Sequence, residues 1–472
     1  MKVLMFGWEF PPYISGGLGT ACHGLTHSLQ KQGVKVLFVV PRLFGNEPSG
    51  DISLINASAV GIPRDKYTIK SSYTTRRNEA QSVEGNEITT IEVDSPLMPY
   101  HEETPYHESS ILHWNYSFPK TSETENERVD EKSNELNINF SGSYGPNLMK
   151  EVEQYAIVGT QVSKQNSFDV IHAHDWLTFP AGIAAKETSG KPLIVHVHAT
   201  EFDRSGENVN PLIYNIEKKG LDTADRIIAV SQWTKNILVS RYGVPEEKVE
   251  VVHNGVVAEE KKTSLEKKSP FGPHVVTFMG RVTYQKGPIY FVDAAKEVLK
   301  EFPNAHFVMA GSGDLLPQMV EHVAHLQISA NFHFTGFLRK NEIDKIWDMT
   351  SIYVMPSVSE PFGITPLEAI QGGVPVILSK QSGVAEVMPH AITVDFWNKR
   401  ALAGAICSML RYGSLMKCMQ ENGQQEIGRL NWNVAASKVN RVYDEITIKN
   451  RKKSRVVLSG SSTKKVEPVE LL

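Results

Sequence analysis

The chain has 472 residues, of which 41% are hydrophobic and 22% charged, and a formal net charge of -4. That length has room for two or three domains, and the composition is that of an ordinary water-soluble protein. A balance so near neutrality gives neither nucleic acid nor an anionic membrane an electrostatic handle, and no run is long and apolar enough for a transmembrane segment. Cys22, Cys407 and Cys418 are scattered without metal-ligand spacing. A disulfide framework is therefore not expected, and a reducing compartment, the cytoplasm, is. The first residues, Met1 to Glu9, are apolar for only a few positions before a charge. They predict a first strand, not a signal peptide.

Val3–Phe6 is that strand. A glycine-rich segment follows, Pro11-Pro12-Tyr-Ile-Ser-Gly16-Gly17-Leu-Gly19-Thr20, then a helix over Ala21–Gln32 and a strand over Val34–Val40. Residues 120–139 are polar and acidic and are expected to form a mobile insertion. A helix is predicted over Leu148–Ser163. Strands follow at Val170–Ala173, Leu193–His198, Arg226–Val230 and Val249–Val252. Asn254-Gly255 marks a turn, and residues 257–272 are charged and read as a linker. A second alternating series has strands at Val275–Met279, His306–Ala310, Ile352–Met355 and Pro375–Leu378. Trp432–Ile446 is an amphipathic helix within the last ordered segment, 431–449, and 450–472 is expected to be a disordered tail. Such βαβ alternation predicts an α/β protein with two Rossmann-like domains, 1–256 and 273–430, each a parallel sheet covered by helices. Ligands bind such sheets at the carboxyl ends of the strands, so the cleft between the halves is the expected site.

The segments that carry chemistry lie at those strand ends. Between the Ile352–Met355 strand and a helix over Pro366–Gln371 stands Ser357-Val-Ser-Glu360-Pro-Phe-Gly363-Ile364-Thr365-Pro-Leu-Glu368. Thr365 reads as the helix cap and Pro366 as its first residue. Gly363 admits a close backbone approach, and free N–H groups at a helix start attract anions. Two carboxylates beside an anion site suit a ligand bearing both hydroxyls and phosphates, such as a sugar nucleotide. Gly280-Arg281-Val-Thr-Tyr-Gln-Lys286-Gly287 puts two cations at another strand end. Arginine can grip phosphate with two donors while lysine acts as a point charge, so the pair suits a departing diphosphate. His172-Ala-His174-Asp175-Trp176 and His196-Val-His198-Ala-Thr200-Glu201 end two strands of the first half. Alternate strand residues face one way only where the chain stays extended, which counts against a metal site, and a buried structural role is expected for His172 and His196.

Four of these segments, in this order, resemble the motifs of retaining glycosyltransferases of the GT-B type: the glycine turn, the His-Asp-Trp region, Gly-Arg-x4-Lys-Gly and Glu-x7-Glu. The look is that of the glycogen and starch synthase group and its family-4 relatives. The resemblance implies that Glu360 and His198 face the donor sugar and that Glu368 holds the ribose. It implies that Arg281 and Lys286 stabilise the leaving diphosphate, with Gly16, Gly17, Gly363, Ile364 and Thr365 around the donor. His174 and Asp175 would line the cleft on the acceptor side, and the last helix would cross back onto the first domain. The implied reaction carries glucose from UDP-glucose or ADP-glucose to the non-reducing end of an α-1,4-glucan, with no metal and no pyridoxal phosphate as cofactor. One departure touches the acceptor: Ile14-Ser15 stands where ADP-glucose synthases typically carry Lys-Thr. Other readings are a family-4 hexosyltransferase with a disaccharide, polysaccharide or lipid-linked acceptor, a sugar-nucleotide epimerase, and a non-catalytic glucan-binding or regulatory protein. Oligomeric state is not addressed by any of these motifs.

Overall fold

The structure, a computed structural model, describes residues 1–12, 16–45, 47, 52–63, 127–129, 135–257 and 269–460. The first half contains β1 (Lys2–Phe6), β2 (Lys35–Val40), β3 (Ser53–Asn56), β4 (Ile62–Pro63), β5 (Glu127–Val129), β6 (Glu135–Ile138), β7 (Val170–His174), β8 (Leu193–Val197), β9 (Arg226–Ala229) and β10 (Val249–Val251). Seven of them form one sheet in the order β10-β9-β8-β7-β1-β2-β3, parallel throughout. Val3, Leu4, Met5 and Phe6 are all fully buried, because helices cover both faces. Each such side chain contributes about 1.5–3 kcal/mol of burial free energy, which is why continuous apolar runs rather than alternating ones mark these strands.

The second half contains β11 (Val275–Met279), β12 (His306–Ala310), β13 (Phe332–Gly336), β14 (Ile352–Met355), β15 (Val376–Ser379) and β16 (Ile392–Val394). They form a parallel sheet in the order β13-β12-β11-β14-β15-β16. In each sheet the chain starts in the middle, builds outward, then returns to the other side of its first strand. That leaves a crevice beside the carboxyl end of that strand, between β1 and β7 in one half and between β11 and β14 in the other. In the two large sheets, the strands that sequence periodicity does not announce are edge strands. β3, β13 and β16 are short and only half-buried, so no apolar run marks them.

Two expectations change. Part of the 120–139 segment is ordered: β6 pairs antiparallel with β4 and β5. Ile138 joins a core that includes Ile62, Phe140 and Tyr155. One buried apolar residue and a ladder of backbone hydrogen bonds outweigh the polar composition there, and 120–126 and 130–134 lie outside the described residues. The tail expected from 450 is helical as far as Gly460, since the last helix runs Trp432–Gly460. Its Lys and Arg residues are good helix formers, and no glycine or proline interrupts it earlier. Residues 461–472, and most of the 257–272 linker, lie outside the described residues.

The last helix crosses back onto the first half. Trp432, Ala435, Ala436, Val439, Val442, Tyr443 and Ile446 recur at helical spacing and share a core with Val3, Met5, Ala21 and Leu25. Its partner is the helix Gly17–Lys31. The two approach closely at Gly24, where an added Cβ would lie 2.3 Å from the Trp432 ring. Gly24→Ala is therefore expected to destabilise the protein by about 1–3 kcal/mol through overpacking, read as a lower midpoint in denaturant unfolding. An unchanged midpoint would show that the two helices separate at little cost.

Candidate active site

In the second half, the loops leaving β11 and β14 flank the crevice. Gly287 has φ +63°, and a Cβ there would sit 2.3 Å from the carbonyl oxygen of Pro356. Only glycine lets the Arg281–Lys286 loop pack so closely on the end of β14. The result is an ion pair between Lys286 Nζ and the Glu360 carboxylate, which also accepts from Ser357 Oγ at 3.4 Å. The backbone of Glu360 is held on both sides, its N–H donating to Gln381 O and its carbonyl accepting from Gly383 N, each at 2.9 Å. The side chains of Lys286 and Glu360 are only 21% and 8% exposed. Removing either partner strands a charge in a poorly solvated place, a loss of about 3–5 kcal/mol for fully buried pairs. Arg281 donates to Gln285 Oε1 at 3.4 Å on the same loop.

Glu368 lies in the first turn of the helix Thr365–Gln371. Both glutamates act on one buried group, the Tyr353 hydroxyl. Burial raises its pKa most, and the charges of Glu360 and Glu368 raise it further. Thr365 is not the cap expected from sequence. Ile364 occupies that position in helical conformation, with no side-chain cap. A threonine cap needs extended backbone, and the chain has already turned by Ile364. Thr365 instead directs its hydroxyl to Tyr353.

In the first half the helix starts earlier than expected, at Gly17, with Gly16 extended at its cap. Gly17 thus lies in the first turn, and Tyr13, Ile14 and Ser15 are outside the described residues. A Cβ on Gly17 would lie 3.9 Å from Ile364 Cδ1, so the glycine turn faces the Glu-x7-Glu loop across the cleft. β7 stays extended through His174, so His172 and His174 do share a face. With His196 and His198 they form a stack of imidazoles whose centroids are 4.3–5.4 Å apart. His198 lies just past β8, half-buried, and its Nε2 is 3.0 Å from His174 Nδ1. Burial holds His172 and His198 neutral, each with a pKa lowered to about 3. Asp175 has φ +63°, an uncommon conformation for a residue with a side chain. Its Oδ1 accepts from the backbone N–H of His198 at 2.9 Å and of Ala199 at 3.3 Å. A strained residue thereby fixes the loop that carries His198. The chain also brings together two overlapping triads of metal-type donors, Cys22–His174–His198 and His172–His174–His196.

Several residues that sequence reasoning missed bridge the two halves. Ser359 Oγ donates to Asp203 Oδ1 at 2.5 Å and accepts from Trp233 Nε1 at 3.1 Å. Asp203 also completes a capping box with Thr200, a Thr-x-x-Asp signal that was readable in the sequence. Glu386, beyond β15, accepts from the backbone N–H groups of Gln232 and Trp233 at 2.8 and 2.6 Å, and lies 3.0 Å from His253 Nε2. A carboxylate of one half therefore sits on the positive end of a helix, Gln232–Tyr242, in the other. No sequence signal links residues 126 or more positions apart.

Residues 257–426 match the family described as Glycosyl transferases group 1, and residues 146–260 match Glycosyltransferase Family 4. The chain is 25% identical over 461 residues to an uncharacterized glycosyltransferase, MJ1607, of Methanocaldococcus jannaschii, covering 94% of this chain and 98% of that protein. It is 22% identical to a glycogen synthase of Mycobacterium tuberculosis over 94% of each chain. Among solved structures, sucrose-phosphate synthase from Thermosynechococcus elongatus superposes with a TM-score of 0.66 at 16% identity, over 95% of this chain and 99% of that one. Anabaena Alr3699/HepE, solved with UDP and glucose, superposes with a TM-score of 0.60 at 15% identity, over 94% and 99%. At such identities the likeness establishes the fold, which is GT-B.

The Glu386 contact has a pH signature. Burial alone would raise its pKa, but the hydrogen bonds from His253, Gln232 and Trp233 together hold it below the ordinary 4.5. A depressed carboxyl pKa contributes stability that is present above the unfolded value and lost as pH falls through the folded one. Wild type should therefore be more stable than Glu386→Gln near neutrality, with the gap closing on acidification below 4.5. Denaturant unfolding of both proteins across that range measures it; a gap independent of pH would contradict the ionic origin of the contact.

Proposed function

We propose that this chain, a GT-B glycosyltransferase by its two matched domains, is a retaining hexosyltransferase. In this reading it moves glucose from UDP-glucose or ADP-glucose to the non-reducing end of an α-1,4-glucan. The observation that carries the reading is the convergence of the two crevices. Arg281, Lys286, Glu360 and Glu368 stand at one, and Gly17 and His198 stand at the other. Gly17 meets Ile364 across the cleft. A donor with a sugar, a diphosphate and a ribose matches that distribution of groups. The relatives named glycogen synthase and the HepE structure with UDP and glucose support the choice of donor and acceptor class.

In the reaction the bond between the sugar's anomeric carbon and the diphosphate oxygen breaks, and the acceptor hydroxyl bonds to that carbon from the same face. The acceptor's proton passes to the departing phosphate. Arg281 and Lys286 neutralise the charge that develops on the diphosphate, a contribution of about 3–4 kcal/mol for a well-placed donor. Glu360 and His198 orient the sugar, His198 as a neutral imidazole able to hydrogen-bond a hydroxyl. Glu368 holds the ribose hydroxyls, and the backbone of Gly363, Ile364, Thr365, Gly16 and Gly17 packs around the donor. His174 and Asp175 support the His198 loop on the acceptor side. No side-chain nucleophile, metal or pyridoxal phosphate takes part in this scheme. The Lys286–Glu360 pair gives the donor a task on binding, since the diphosphate must share Lys286 with the glutamate.

Mixing the protein with glycogen and either UDP-glucose or ADP-glucose, and measuring released nucleoside diphosphate, tests donor and acceptor together. Disaccharide and lipid-linked acceptors serve as comparisons. Lys286→Ala and Glu360→Gln are each expected to lower turnover about a hundredfold or more. Wild-type turnover in both would remove these residues from the site. Glycogen binding without nucleotide release would favour a non-catalytic glucan-binding role.

A further inference from the structure

Beneath the donor-side histidine, the geometry points to a structural metal site: one divalent transition ion, zinc in the first instance, held by His172, His174 and His196. This inference stands independently of the proposed reaction. His172 and His174 occupy alternate positions on one face of β7, and His196 is the direct cross-strand partner of His174 on β8. Two neighbours on one strand and one on the next are how a sheet offers three ligands to a single point. The donor atoms of these three residues lie within 4.8 Å of one another.

The second observation is that these groups are otherwise unsatisfied. The three residues are 0%, 0% and 2% exposed. His172 Nε2, His174 Nε2 and both ring nitrogens of His196 have no hydrogen-bond partner among the described residues. Buried polar atoms are nearly always paired, and a cluster of four orphans calls for a polar occupant. The nitrogens that are paired leave the right ones free. His172 Nδ1 meets the Tyr443 hydroxyl at 2.5 Å, and His174 Nδ1 meets His198 Nε2 at 3.0 Å. Both histidines therefore keep Nε2 available for an ion, with the other nitrogen held by a partner as in metal-binding imidazoles.

The rings are not yet in ligating orientation. Their planes are 13–30° apart, too nearly parallel for three lone pairs to meet. A tetrahedral ion with bonds of about 2.0–2.1 Å brings its nitrogens to about 3.4 Å from each other. Rotation about χ2, a broad torsion in histidine, closes that gap without moving the strands. The candidate fourth ligand comes from above the strand ends: Cys22, on the helix Gly17–Lys31, places its donor atom within 4.8 Å of His174. An ion here would tie the last helix, through Tyr443, to the loop that carries His198.

The test uses the full-length protein. After expression in zinc-supplemented medium and desalting, its metal content is measured by mass spectrometry. Chelator-treated protein is then titrated with cobalt(II). The expected result is one equivalent of zinc per chain and the visible d–d bands of tetrahedral cobalt. A sulfur-to-cobalt band that vanishes in Cys22→Ser would identify the thiolate as fourth ligand, and its absence would leave that position to water. His196→Gln should lose both zinc and the cobalt bands while keeping its far-ultraviolet circular dichroism. Less than about a tenth of an equivalent of any transition metal in wild type, with no cobalt bands, would overturn the site. So would bands undiminished in His196→Gln, because the ion would then lie elsewhere. Should that variant fail to fold, the two wild-type measurements still decide.

Discussion

Everything chemical in this protein depends on one topological constraint. A parallel sheet sends all its carboxyl ends to one edge, and a reversal of strand order opens a crevice there. This chain makes that reversal twice, at β1/β7 and at β11/β14, and sets the two crevices mouth to mouth. On the proposed function, the groups that would meet a sugar nucleotide are divided between them. The cations and carboxylates stand on one side, and a glycine-led helix start and a neutral histidine on the other. Neither half is complete alone.

The interface between the halves mixes polar contacts with apolar ones, for Val230 and Val256 share a core with Tyr353, Phe362 and Leu367. Ser359 joins Asp203 and Trp233 directly beside Glu360. Glu386 caps a helix of the opposite half. These contacts bring the cleft together through hydrogen bonds that water can replace. The last helix does the opposite, burying an apolar stripe against the first half.

Legibility followed the length over which a signal acts. Central strands such as Val275–Met279 and Ile352–Met355 coincide with their predicted spans, because complete burial requires uninterrupted apolar residues. The edge strands β3, β13 and β16 were illegible for the converse reason, although β10, also at an edge, was read. The cap at Thr365 was misread because its residue type was right and its backbone was not. The segments bearing Lys286 and Glu360 could each be picked out, but the ion pair spans 74 positions and no local pattern encodes it. The same holds for Tyr443 on His172, 271 positions apart.

The sequence alone therefore marked the segments that carry candidate chemical groups and placed them near strand ends. Periodicity and turn residues act over a few positions, and those positions suffice for strand ends. Only the tertiary structure decided which strand ends meet. It put Lys286 on Glu360, turned three histidines onto one buried face with His198 beside them, and bound the halves through Ser359 and Glu386. The physical reason is that such pairings are set by sheet order and domain packing. Those are collective outcomes of burying many apolar residues at once, and no short stretch of the chain carries them.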